Sequence, residues 1–183
     1  MERPATAAKA RIARFWRHQD GATTLAAVLF IPLFLMIFMS SVEISTLAIR
    51  QAMLDRAVDQ TSRILRLGIE PLPDHALLKR AICNRLAIVP GCIENLTVEV
   101  VEVDKTSWST TRAGTAATCV DLSEEATPEM LIQRGQSDQL MLMRVCLKVK
   151  PMMPGAGVGA RLTTDGSGAL ALVVATVFVN EPR

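Results

Sequence analysis

The sequence predicts an α+β chain hung from one long N-terminal transmembrane helix, which continues into an outer domain with an antiparallel sheet of three or more strands. Three observations predict it. Residues 22–42 carry no charge for twenty-one positions, and about 20 apolar residues cross a bilayer as a helix. Helical spacing of apolar residues persists beyond that run, as far as Leu67. After position 95 the apolar period changes to two, the alternation of half-buried strands.

The first segment, residues 1–21, is a basic leader. Arg3, Lys9, Arg11, Arg14 and Arg17 stand against Glu2 and Asp20, a net charge of +3. The whole chain carries +2, so the remainder carries −1. Positive flanks stay in the cytoplasm, which places the N-terminus inside and residues 44–183 outside. A near-neutral outer domain argues against nucleic acid, which needs a basic face. The leader suits a topology signal in contact with anionic lipid headgroups.

The second segment, residues 22–67, is one helix. Its apolar run is ATTLAAVLFIPLFLMIFMSSV, with Pro32 as the single helix-breaker; in a membrane helix Pro gives a kink and is tolerated. Beyond the span, Leu47, Leu54, Ala57, Val58, Thr61, Ile64 and Leu65 recur at helical spacing, with Gln51 interrupting. Asp55, Arg56, Asp59, Arg63 and Arg66 fall on the other side, and Asp59 with Arg63 has the favourable i,i+4 order. Gly68, Pro71 and Pro73 stop the helix. Glu43 ends the uncharged run. As an interfacial charge it reaches headgroups; as a functional group it pairs with a neighbouring helix, because a charge near membrane depth seeks a partner.

The third segment, residues 68–183, is the outer domain, long enough for one modest core. Asp74 caps a short helix whose apolar face is Leu77, Leu78, Ala81, Ile82 and Leu86, and which stops before Pro90. Leu96, Val98 and Val100 alternate with Thr97 and Glu99; Met141, Met143, Val145, Leu147 and Val149 alternate with Leu142, Arg144, Cys146 and Lys148. The run Ala169–Val179 is apolar on both faces and suits a strand central in a sheet. Residues 104–138 are polar and irregular, with a short helix expected at 128–133. Residues 151–168 hold two prolines and five glycines, a long turn region.

Cys83, Cys92, Cys119 and Cys146 all fall on the outer side, where an oxidising compartment favours two disulfides over four buried thiols. Four cysteines allow three pairings, and the sequence alone does not decide among them. Cys83–Cys92 with Cys119–Cys146 is favoured, the first closing a short loop across Pro90-Gly91.

Catalytic, cofactor and metal-binding constellations are not expected, so the sequence reads as a non-enzyme. His75, expected to be exposed at a helix start, is the one outer-side histidine, too few for a triad or a zinc site. Gly155, Gly157 and Gly159 lack the strand before and helix after that a phosphate loop needs. Asn95-Leu96-Thr97 fits a glycosylation sequon, a triplet that also arises by chance.

Asp20-Gly21 before a small-residue start, Pro32 eleven positions after Gly21, Glu43, Arg50-Gln51 with the Arg-punctuated helix to Arg63, the Cys83 and Cys92 pair, and the terminal Phe178-Val179-Asn180-Glu181-Pro182 together resemble the TadE/TadF-like proteins of tight-adherence (Flp-type) pilus systems. The resemblance covers nearly the whole chain and is strongest over residues 13–68 and at the C-terminus. It implies a pilin-like fold and a single-pass bacterial inner-membrane protein with a periplasmic domain. It implies a minor pilin or pilus-assembly factor, with other prepilin-like subunits, the inner-membrane pilus machinery and a prepilin peptidase as partners. The processing site then falls between Gly21 and Ala22, and Ala26, Pro32 and Glu43 are the candidate helix-contact residues. One departure matters. Prepilin-like proteins usually have Glu five residues after the cut, where this chain has Ala26. Glu43 lies about 26 Å further along the helix, too far to replace it. The departure implies slower processing and a role other than ordinary shaft subunit. The competing expectation is a membrane-anchored binding or sensor module unrelated to pili.

Overall fold

The uncharged run and the amphipathic stretch after it form one continuous helix, α1 (Ala22–Arg66), with Pro32 inside it. Its 45 residues make it about 68 Å long. The computed structural model describes residues 22–67, 74–106, 117, 119–120, 132–133, 135–155 and 157–181, with the backbone alone at Ala22 and Thr23. The leader, the helix stop at Gly68, Pro71 and Pro73, and residues 128–131 of the short helix expected at 128–133 lie outside the described residues.

The second half of α1 carries the core stripe the periodicity predicts. Leu54, Ala57, Val58 and Thr61 are buried, with Leu47, Met53 and Leu65 packed at the margin. Ile64, expected on this stripe, is exposed. On the opposite face Asp59 and Arg63 pair at 2.9 Å. Arg63 and Arg66 lie in the last turn, where cations favour the helix dipole.

Helix α2 (His75–Cys83) follows, with Asp74 at its N-cap accepting the His75 N–H at 2.7 Å. Its buried residues Leu78 and Ile82 pack on α1 and the sheet. The chain then turns through Pro90 and Gly91 into the short helix α3 (Cys92–Asn95). Gly91 adopts φ 65°, the left-handed region that favours glycine. Cys83 and Cys92 are joined across this turn.

Three strands, β1 (Leu96–Glu102), β2 (Leu140–Val149) and β3 (Leu170–Val179), form one antiparallel sheet in the order β1-β2-β3. Alternation sends Leu96, Val98, Val100, Met143, Val145 and Leu147 to the inner face, against the α1 stripe and α2. Ile132 makes a parallel bridge to Val100 on the free side of β1. Neither the helix stripe nor the sheet face can be covered alone, so the two form one core.

β3 corrects an expectation. Its apolar character on both faces predicts a central strand, yet it lies at the edge of the described sheet. Its inner residues Leu172, Val174 and Phe178 join the core. Its edge is met by α1: the Gln51 side-chain amide donates to the Val173 carbonyl at 3.3 Å, and the Glu181 N–H donates to the Arg66 carbonyl at 3.2 Å. Gln51 interrupts the apolar stripe because it serves this strand edge.

Candidate functional site

Residues 24–38 of α1 are largely bare. Leu25, Leu29, Phe30, Phe34, Ile37 and Phe38 are all more than half exposed, and this helix is long and apolar enough to cross a membrane. Four hydroxyls near its middle bond locally. Ser40, Ser41 and Ser45 each donate to the carbonyl four residues back, and Thr46 donates to Glu43 O. Such back-bonding lets a hydroxyl sit in an apolar setting without an unpaired donor.

Where this bare half meets the domain, Glu43 is 2% exposed. Its Oε1 accepts the Met152 N–H at 3.0 Å and its Oε2 accepts the Met153 N–H at 2.9 Å. Pro151 and Pro154 bracket those two methionines. The sequence offers Glu43 a headgroup or a neighbouring helix as partner. In the structure the carboxylate faces a loop of its own chain instead. Gly157, at φ 56°, brings the same loop against Ser40; a Cβ there would strike the Ser40 side chain and come within 3.7 Å of the Met36 carbonyl. About two turns beyond Glu43, Arg50 Nη1 donates to the Lys150 carbonyl at 3.2 Å. The loop between β2 and β3 is therefore fastened to α1 at Ser40, Glu43 and Arg50, and contains a short 3-10 turn (Gly159–Arg161).

Two polar groupings fix the strands that carry this loop. Lys148 on β2 meets Asp165 at 2.7 Å, and the other Asp165 oxygen accepts from the Ser167 and Ala169 N–H groups and the Ser167 hydroxyl. The Lys148 hydrogen bond, then those of Ser167 and Ala169, hold the Asp165 carboxyl well below the usual range. On the outer face of the sheet, Arg144 lies directly opposite Glu99 and pairs with it at 2.9 Å, both largely buried. The Cys119–Cys146 disulfide ties residue 119 to β2, and its neighbour Val120 is buried. Both favoured disulfides are thus present.

The candidate site residues are spread along α1. Gly21 lies outside the described residues, Ala22 begins the helix, and Ala26 and Pro32 lie on its exposed half. Glu43 alone among them enters the domain. His75 is half-buried rather than exposed; burial, then Lys79, lowers its pKa. The sequence reading missed Met152, Met153 and Gly157 as partners of the helix. The one signal for them was two adjacent N–H donors isolated between prolines.

No family model matches this chain, and neither the curated proteins nor the solved structures give a match.

Proposed function

We propose that this protein is a non-enzymatic, single-pass inner-membrane assembly protein of a Tad/Flp-type pilus, a minor pilin or assembly factor with its α+β domain in the periplasm. The observation that carries the reading is the division of α1 into a bare apolar half, residues 24–38, and a half that forms the domain core around Leu54, Ala57 and Val58. A subunit that must be held in lipid and then pass its helix to other helices needs this construction. The bare half is solvated by acyl chains at rest and packs laterally during assembly. Ala22 and Ala26, four apart, allow close helix approach. The resemblance of residues 13–68 to TadE/TadF-like proteins supplies the system, and the basic leader supplies the orientation.

Deleting the gene tests the reading. Pili should be reduced or lost, while sheared fibres from the wild type should contain little of this protein. Normal piliation in its absence would favour an anchored module unrelated to pili. Finding it as the dominant fibre component would make it a shaft subunit.

A further inference from the structure

We propose that the loop formed by residues 151–155 and 157–160 is a second membrane contact, with its apolar residues lying among the upper acyl chains beside α1 and Arg50 and Lys150 resting on anionic phospholipid headgroups. The inference deepens the membrane-anchored reading of α1 and rests on it.

Height is the first argument. The uncharged run of twenty-one residues is about 32 Å long as a helix, close to the roughly 30 Å of a bilayer's hydrocarbon. Ser40 and Met36 belong to that run, and Gly157 lies against both. From Glu43 down to Met36 the loop therefore accompanies the span for about 10 Å. A segment fastened at that height meets lipid wherever it faces away from the helix.

The loop's chemistry suits that position. Residues 151–160 read PMMPGAGVGA, with neither a charged nor a polar side chain. Met152 is 55% exposed, and Pro154 and Gly155 are exposed beside it. Unpaired backbone donors oppose entry into hydrocarbon, and the first four positions of the loop present none. Here two positions are prolines without an N–H, and the Met152 and Met153 N–H groups go to Glu43. The Val158 carbonyl accepts from Arg161 N–H.

Charge is the third argument. Arg50, Lys148 and Lys150, the last of which immediately precedes the loop, line a cavity of about 290 Å³. Lys148 is neutralised by Asp165. Arg50 and Lys150 have no carboxylate partner among the described residues. Arg50 lies eight residues, about 12 Å, beyond Val42, just outside a headgroup layer roughly 5–8 Å thick, where anionic lipid still attracts a cation.

The test uses the full chain with Trp16→Phe and Trp108→Phe, reconstituted in phosphatidylcholine–phosphatidylglycerol vesicles, with Met152→Trp as the single fluorophore. Gly155→Trp serves as a second site, because a Cβ there meets nothing within 4 Å. Val28→Trp reports the span. Lipids brominated near the headgroup should quench the indole at 152 or 155, and lipids brominated near the bilayer centre should quench that at 28. With bromine on one lipid class at a time, phosphatidylglycerol should quench the loop fluorophore severalfold more than phosphatidylcholine. Arg50→Gln with Lys150→Gln should abolish that preference. Quenching at 28 but not in the loop, with water-like emission there, would overturn the proposal and leave the anchor standing. A blue-shifted, unquenched loop indole that depends on protein density would assign the surface to a second copy and also overturn it. An unquenched indole at 28 would remove the anchor reading itself.

Discussion

Glu43 Oε2 lies 2.9 Å from the backbone nitrogen of Met153, joining positions 110 residues apart. With Met152 it forms a two-point clasp between α1 and the β2–β3 loop. Removing the carboxylate leaves two donors without an acceptor. Hydrogen bonds to a charged group contribute about 1.5–3 kcal/mol each, so Glu43→Ala should cost on the order of 2–4 kcal/mol of domain stability in detergent. Glu43→Gln keeps one acceptor and should cost less. Amide exchange at Met152 and Met153 should accelerate in both variants and leave Val145 unchanged. Unaltered exchange at the two methionines would show that the clasp does not hold in solution.

The Gly157–Ser40 approach can be separated from backbone strain by three substitutions. Gly157→Ala combines a collision with Ser40 and a left-handed φ of 56°. Gly168→Ala has the positive φ of 75° but open space. Gly155→Ala has open space and no positive φ. A left-handed non-glycine residue costs about 1–2 kcal/mol. Thermal midpoints should therefore rank Gly155→Ala nearest wild type, Gly168→Ala lower and Gly157→Ala lowest. Ser40→Ala should partly rescue Gly157→Ala, because the clash is with that side chain.

Acid should weaken the domain through Asp165. Its unfolded value is 3.8, and in the fold the Lys148 hydrogen bond leads the effects that depress it. A depressed carboxyl stabilises the fold fully above the unfolded value. That stability is lost as pH falls from about 4 through the folded value. Asp165→Asn should cost about 2 kcal/mol at neutral pH and much less near pH 2. Urea midpoints of wild type and variant should converge on acidification; parallel curves would contradict the assignment.

Breaking the disulfides should have unequal effects. Cys83–Cys92 spans 9 residues and Cys119–Cys146 spans 27. On chain-entropy grounds the larger loop contributes about 1 kcal/mol more, within a range of roughly 2–5 kcal/mol for each. Paired Cys→Ser variants compared by urea denaturation measure the difference. Non-reducing peptide mapping of the membrane-extracted protein should recover the two linked pairs.

The parts of this fold that depend on local periodicity were legible in the sequence. α1 announces itself by a charge-free run and the stripe through Leu54 and Val58, and the strands by alternation. What depends on tertiary register was not. Arg144 alternates with the apolar residues of β2, and register sets it against Glu99, two residues from the disulfide-bonded Cys146. β3 reads as central because both faces are apolar. A helix running beside an edge, with Gln51 bonded to the strand, is not encoded in the strand's own residues. Glu43 reads as a charge in need of a partner, but nothing near it in sequence names Met152 and Met153.

Processing of the leader is a further prediction. The resemblance to prepilin-like proteins implies a cut between Gly21 and Ala22, with Pro32 eleven positions after Gly21. A carboxylate inside lipid is costly without a partner, so where prepilins carry one at the position of Ala26 it enforces docking to another subunit. Glu43 cannot serve that purpose here, because both its oxygens are committed to the β2–β3 loop. Association must then rest on packing of small and apolar residues along the bare half of α1. Cleavage should occur, but more slowly than for members with the carboxylate, and Ala26→Glu should accelerate it. N-terminal sequencing of the membrane form should give Ala22 first in a fraction of molecules. That fraction should rise in Ala26→Glu, which should also enter sheared fibres more readily. If Ala22 is never found at the N-terminus in cells containing an active prepilin peptidase, the leader is a retained topology signal and the prepilin-like reading fails.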